Sequence, residues 1–132
     1  MIVIDSSALI AILQNEPERA RFASLIARAN RKLVSAVTIL EAGMVARSRR
    51  GEAGLIALGE IVADAEIEIV PFDAPLAELA LEAFARYGKG NHAQARLNLG
   101  DCATYALAKG INAPLLYKGT DFASTDIVSA SM

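Results

Sequence analysis

One cysteine, one histidine and no tryptophan occur among the 132 residues, and each scarcity closes a class of function. A lone Cys102 leaves no intrachain disulfide and suits a reducing compartment. A lone His92, with no neighbouring imidazole, makes no zinc site. Aromatic residues total 5%, so a base-stacking platform for nucleic acid is not expected. Neither sign of charge is in large surplus: 13 Lys+Arg against 15 Asp+Glu leave a net charge of -2. The whole-molecule field therefore does not advertise nucleic-acid binding, and attraction for a polyanion must come from a local basic rim or from bound cations. No uninterrupted apolar run approaches the roughly 18 residues that span a bilayer. The run Ile2-Val3-Ile4 is broken by Asp5 and lacks a positive leader, so it does not read as a signal peptide. Repeats, low-complexity tracts and linkers are absent. These exclusions predict a cytoplasmic protein that makes no membrane contact.

Hydrophobic residues are what the chain has in abundance, at 54%. The length suits a single domain over 1–132, and so small a domain hides apolar surface inefficiently, which predicts a homodimer. Met1–Asp5 reads as a short buried strand ending in a carboxylate, with Ser6 and Ser7 capping a helix over Ala8–Leu13. Pro17 opens a second helix through Phe22, Leu25, Ile26 and Ala29. Leu33–Val37 is a second strand. Thr38 opens a helix to about Arg50, and Gly51 separates it from another reaching about Ala65. Ile67, Ile69 and Val70 form a third strand, and Asp73 and Pro75 start a helix that runs to Tyr87. Gly88–Leu99 reads as a mobile connection, Asp101–Lys109 as a helix ended by Gly110, Pro114–Tyr117 as a fourth strand and Ile127-Val128 as a short fifth. Strands alternating with helices predict an α/β fold, a parallel sheet of four to five strands flanked by helices on both faces.

Open α/β sheets form their sites at the carboxyl ends of strands. Asp5 ends the first strand, Glu41 lies in the first turn of the helix after the second, and Asp121 follows the fourth. These placements share a rim. Asp101, in the first turn of its helix, joins them only if the Gly88–Leu99 connection delivers that helix start to the same place. Unit charges 4 Å apart repel by about 4 kcal/mol at an effective dielectric near 20. Four gathered carboxylates would therefore protonate, unfold the site or recruit a cation, and an all-oxygen set favours Mg²⁺ or Mn²⁺ over zinc. Such an ion activates water and neutralises phosphate charge, the chemistry of phosphodiester hydrolysis. Each acid also has a plain structural reading. Asp5 can cap a helix, Thr38-Ile39-Leu40-Glu41 fits a capping box, Asp101 can complement a helix dipole, and Asp121 can be a turn residue.

The combination is more specific than its parts. M-I-V-I-D-S-S-A-L at the start, T-I-L-E-A at 38–42, L-N-L-G-D-C-A-T-Y-A-L-A-K at 97–109 and P-L-L-Y-K-G-T-D-F-A-S-T-D-I at 114–127 occur in the order of the motifs of VapC-type PIN domains. The chain resembles that family over essentially its full length. The resemblance implies a five-stranded parallel sheet and Asp5, Glu41, Asp101 and Asp121 as the catalytic, metal-holding acids around Mg²⁺ (or Mn²⁺). It implies single-stranded RNA cut to a 5′-phosphate and a 3′-hydroxyl, a homodimer, a larger toxin–antitoxin assembly, and inhibition by a cognate VapB-like antitoxin. Many members carry a further acid where Thr120 stands here.

Around the acids, Ser7, Asn98 and Thr120 are candidates to orient a carboxylate or hold water. Lys89 and Arg96 are candidates for phosphate contact, and His92 is a weaker one. Arg47, Arg49 and Arg50 end a helix, where cations suit the dipole, and Cys102 reads as a small buried residue. Other readings are less well served. A haloacid-dehalogenase-type phosphotransferase needs an aspartate where Ser7 stands, and D-S-S-A-L-I supplies no G-x-G-x-x-G for a dinucleotide. A catalytically inert PIN-like module that binds RNA or protein is the alternative. An acidic site also predicts a partner peptide that inserts Arg or Lys among the acids and lays an apolar helix alongside.

Overall fold

A computed structural model of the chain describes residues 1–131. The elements, in order, are β1 (Ile2–Ile4), α1 (Ser6–Leu13), α2 (Arg19–Arg28), β2 (Lys32–Ser35), α3 (Ala36–Asp64), β3 (Glu68–Val70), α4 (Ala74–Tyr87), α5 (Leu99–Gly110) and β4 (Leu115–Leu116). Among them the four strands form one sheet in the order β3-β2-β1-β4, with every pair parallel. This is the expected α/β architecture.

The strand period of two explains the layering. Ile2 and Ile4 point to one face, where they pack with Val34 and Leu116 against Leu9, Ile12, Phe22, Ile26 and Ala42 of α1, α2 and α3. Val3 points to the other, with Leu33 and Leu115, against Ala83, Tyr87, Tyr105 and Leu107 of α4 and α5. Both faces are covered, as an all-parallel sheet requires. Among the described residues no helix is long and apolar enough to cross a membrane.

Several expectations are corrected locally. Pro17 lies in a turn before α2 rather than inside it: Asn15 takes a positive φ of 53° and the Arg19 amide donates to the Glu16 carbonyl at 2.9 Å, so the helix starts two residues later. Gly51, by contrast, separates two helices as expected: within α3 it takes φ 63° and ψ -148°, a non-helical backbone that kinks the segment between its two helical halves. The short fifth strand is a single bridge from Leu115 to Ser129, two residues beyond Ile127, although the Leu115 amide does donate to the Val128 carbonyl. The Gly88–Leu99 segment is anchored rather than loose. Its ends close through a Gly88–Leu97 bridge, Ala95 and Leu97 are buried, and Asn91 Nδ2 donates to the Phe84 carbonyl at 3.0 Å.

Candidate active site

Asp5 follows the last residue of β1, at the carboxyl end of a central strand, and caps α1 at the same time. Its Oδ2 accepts from the Ser7 amide at 3.0 Å and from Ser7 Oγ at 2.6 Å. Its Oδ1 is buried and has no hydrogen-bond partner. Burial pushes the pKa of Asp5 up from the ordinary carboxylate value, against the lowering influence of the Ser7 hydroxyl and amide. The Ser7 hydroxyl also accepts from the Lys118 amide at 2.9 Å. Lys118 Nζ in turn pairs with Glu16 at 2.7 Å and Glu18 at 3.3 Å, so the turn after β4 is fastened to the α1–α2 connection. Ser7 thus sits between Asp5 and the turn that carries Asp121.

Glu41 is not part of a capping box. Ser35 takes the N-cap of α3, its hydroxyl accepting from the Val37 amide at 3.2 Å, which places Thr38 and Glu41 inside the helix. Glu41 Oε1 instead accepts from Ser6 Oγ at 2.7 Å. Its carboxylate lies against the Cα of Gly100, where a side chain would collide with it. Gly100 is therefore the point where α3 and α5 approach closely enough to bring Glu41 beside Asp101.

Asp101 and Asn98 form a reciprocal capping box at the start of α5: the Asp101 amide donates to Asn98 Oδ1 at 2.9 Å and the Asn98 amide to Asp101 Oδ2 at 3.2 Å. Asn98 is both a cap and the group that fixes the Asp101 side chain. The pKa of Asp101 is pushed up to about 7, first by burial and then, against the lowering effect of the Asn98 amide, by the charges of Asp5, Asp121 and Glu41. The charges of Asp5, Asp121 and Glu41 thus bear on Asp101, with Asp121 acting from an exposed turn after β4. Among the described residues no three acids are arranged to hold an ion as they stand. Asp5, Glu41 and Asp101 each lean on local donors, the low-energy posture for carboxylates facing like charge. The set nevertheless suits a hard cation: its donors are all oxygens and Asp5 Oδ1 is desolvated without a partner.

The remaining candidates divide. Thr120 is exposed beside Asp121. Lys89 and Arg96 are exposed on the anchored 88–97 loop, which meets the turn carrying Asp121 where Ser124 Oγ donates to Gln94 Oε1 at 3.4 Å. His92 also has a structural task. Its Nδ1 accepts from the Gln94 and Ala95 amides at 3.0 and 2.9 Å, and its ring packs on Tyr87, so it braces the loop. Cys102 is buried, and its thiol pKa is raised to about 11 by burial and by Asp101. Sequence reasoning missed Ser6, Gly100 and a buried pair, Thr38 and Thr104, whose hydroxyls meet at 2.9 Å. The available signal was positional: Thr38 precedes Glu41 by three residues and Thr104 follows Asp101 by three, so each threonine shares a helix face with an acid.

Comparison with known proteins identifies the family and the fold. The PIN domain family model matches residues 2–128. The chain is 42% identical over 128 residues to ribonuclease VapC of Mycolicibacterium smegmatis, covering 97% of this chain and 98% of the relative. It is 40% identical over 131 residues to ribonuclease VapC30 of Mycobacterium tuberculosis, covering 99% of each. The crystal structure of VapC20 from M. tuberculosis, described as a sarcin–ricin loop cleaving toxin, shares the fold with a TM-score of 0.79 at 18% identity over 97% of both chains. VapBC2 of Rickettsia felis, bound to a promoter DNA fragment, gives 0.72 at 16% identity over 98% of this chain and 96% of that one. The chain belongs to the PIN-domain family, among the VapC ribonucleases.

Proposed function

We propose that this protein is a toxin endoribonuclease that hydrolyses single-stranded RNA with a divalent cation, Mg²⁺ or Mn²⁺, held by Asp5, Glu41, Asp101 and Asp121. The observation that carries the reading is geometric: the Glu41 carboxylate lies against Gly100, next to Asp101, while Asp5 Oδ1 is buried without a partner. Burial and the charges of the other three acids also raise Asp101 to about 7. When bound, such a cation supplies Lewis acidity and charge neutralisation at a phosphodiester. The chain's own residues do the positioning. Ser7 fixes one oxygen of Asp5, Ser6 fixes one of Glu41, and the Asn98 amide fixes one of Asp101. Each acid is left with a second oxygen for the ion. Lys89 and Arg96, exposed on the neighbouring loop, offer the local positive charge that a net charge of -2 does not supply.

The partners follow from the same surface. Leu40, Met44 and Leu99 stand exposed on the elements that carry Glu41 and Asp101, and Leu81 and Phe84 are exposed on α4. Apolar area of that extent suits a homodimer and the apolar helix of an antitoxin. An antitoxin fits the company this fold keeps, since structural neighbours include toxin–antitoxin complexes from Klebsiella pneumoniae and R. felis. The buried free thiol of Cys102 suits a reducing cytoplasm. The test is cleavage of a purified single-stranded RNA. Mg²⁺ or Mn²⁺ should support it and EDTA should abolish it. Cleavage that persists in EDTA would remove the cation from the reaction, and no cleavage under any condition would favour an inert RNA- or protein-binding module.

A further inference from the structure

Asp126 closes the stretch F-A-S-T-D, and the proposed reaction leaves it unused. Its Oδ1 accepts from the Tyr105 hydroxyl and its Oδ2 from Lys109 Nζ at 3.0 Å, with the Arg86 guanidinium at 3.9 Å. Tyr105 and Lys109 follow Asp101 on α5 at one and two helical repeats of four residues. One face of that helix therefore carries Asp101 at its start and holds Asp126 further along. The donors are themselves held: the buried Tyr105 ring packs on Tyr87 at 5.7 Å, and Arg86 stacks on the same Tyr87 ring at 4.9 Å. Between Asp121 and Asp126 the backbone is tightly folded. The Ala123 amide donates to the Thr120 carbonyl and the Thr125 amide to the Phe122 carbonyl, both at 3.1 Å, which makes two successive turns. Thr125 Oγ1 closes the second onto the Phe122 carbonyl at 2.7 Å, and the Phe122 ring is buried in the core that Tyr105 also joins. Asp121 lies inside the first of these turns.

We propose that Asp126 is a positioning residue for Asp121: by holding the end of these turns on Tyr105 and Lys109, it fixes Asp121 relative to Asp101 on the same helix. The inference rests on the reading of Asp121 as a cation ligand. Asp5, Glu41 and Asp101 are each oriented by a donor at their own carboxylate. Asp121 is exposed, and the backbone that carries it sets its place. That backbone has two mounts. At one end Lys118 is fastened to Glu16, Glu18 and Ser7, and at the other Asp126 is fastened to α5. The contacts of Asp126 are not equal. Its pairs with Lys109 and Arg86 are partly exposed, where screening leaves an ion pair worth little. The Tyr105 hydroxyl belongs to a buried residue and donates to an ionised acceptor, the stronger kind of hydrogen bond. Tyr105 therefore supplies most of the hold.

The test compares the wild-type protein with Asp126→Ala, Asp126→Asn and Tyr105→Phe, none of which empties the core. A metal-free readout comes first. In EDTA, amide exchange followed by NMR should quicken about tenfold at Ala123 and Thr125 in Asp126→Ala and Tyr105→Phe, and stay unchanged in α1 and α3. Mn²⁺ affinity measured by calorimetry should weaken about tenfold in the same two variants, the lower end for a residue that acts from behind a ligand. Asp126→Asn removes the charge but keeps an oxygen for the Tyr105 hydroxyl, so its affinity should stay close to wild type. In an Asp121→Asn background, Asp126→Ala should weaken Mn²⁺ binding no further. Equal losses in both backgrounds would overturn the positioning role, as would wild-type exchange or wild-type Mn²⁺ affinity in Asp126→Ala. Asp126→Asn as weak as Asp126→Ala would overturn it in favour of a plain charge effect. Wild-type protein that binds no Mn²⁺, with exchange still quickened in the variants, would overturn the cation reading and leave the hold of α5 on the turn standing.

Discussion

Replacing Asp101 by Asn should make the metal-free protein more stable while destroying its activity. Asn retains the carbonyl oxygen that accepts from the Asn98 amide, so the cap of α5 survives and only the charge is lost. The Asp101 carboxyl is raised from 3.8 to about 7. A shift of about 3 units at 1.36 kcal/mol each corresponds to ~4 kcal/mol for keeping the group ionised at alkaline pH, as a ceiling. Screening through the open rim around Asp121 reduces this to about 2 kcal/mol. For a domain of this size that is roughly 6–10 °C in melting temperature. The sign follows from linkage. A carboxyl with a raised folded pKa binds protons more tightly in the folded state, so its contribution is complete below the ordinary value of 3.8 and is lost as pH rises toward about 7, then stays constant. The advantage of Asp101→Asn should therefore be smaller at pH 5 than at pH 8. Calorimetric melts of both proteins in EDTA at these pH values measure it, and added Mg²⁺ should stabilise only the wild type. A variant less stable than wild type at pH 8 in EDTA, or one still cutting RNA at the wild-type rate, would refute the reasoning.

Other perturbations isolate other parts of the site. Glu41→Gln can still accept from Ser6 Oγ, so its melting temperature should hold within about 2 °C, or ~0.5 kcal/mol, while cleavage falls at least about a hundredfold; wild-type activity would make Glu41 a structural residue only. Gly100→Ala adds a methyl group into the Glu41 carboxylate, the end of a flexible side chain that can swing away. Stability should change by less than about 1 kcal/mol, because better helix propensity offsets the crowding, while Mn²⁺ affinity measured by calorimetry drops. Co-expression with the neighbouring reading frame's product should yield a complex, and substituting a basic residue of that product that enters the acid cluster should restore ribonuclease activity; a stable, unpartnered, fully active and harmless dimer would contradict the toxin reading.

The sheet was legible because buried parallel strands leave short apolar runs, and the alternation of Ile2, Val3 and Ile4 between two cores is the pattern such runs produce. The acids at strand ends were legible from topology alone. What failed was local competition between equivalent signals. Thr38 and Ser35 are both good caps near one helix start, and the structure uses Ser35, which frees Glu41 for Ser6 and buries Thr38 against Thr104. His92 illustrates the same limit, since nothing in G-K-G-N-H-A-Q-A-R reveals that its ring nitrogen accepts two backbone amides. The anchoring of that loop also depends on Ala95 and Leu97 reaching a core built by distant residues, Val3 and Leu115 among them. The close approach at Gly100 was not legible either, because a contact between two helices leaves no mark in a single sequence.

The central claim is that Asp5, Glu41, Asp101 and Asp121 form one cation site. A crystal structure of the protein soaked in Mn²⁺ at pH 8, with anomalous scattering recorded at the manganese edge, tests it most directly. The account predicts a peak about 2.1 Å from carboxylate oxygens of Asp5 and Asp101, with Glu41 and Asp121 bound directly or through water. A saturated crystal with no peak among these acids, or with manganese bound only elsewhere, would contradict it.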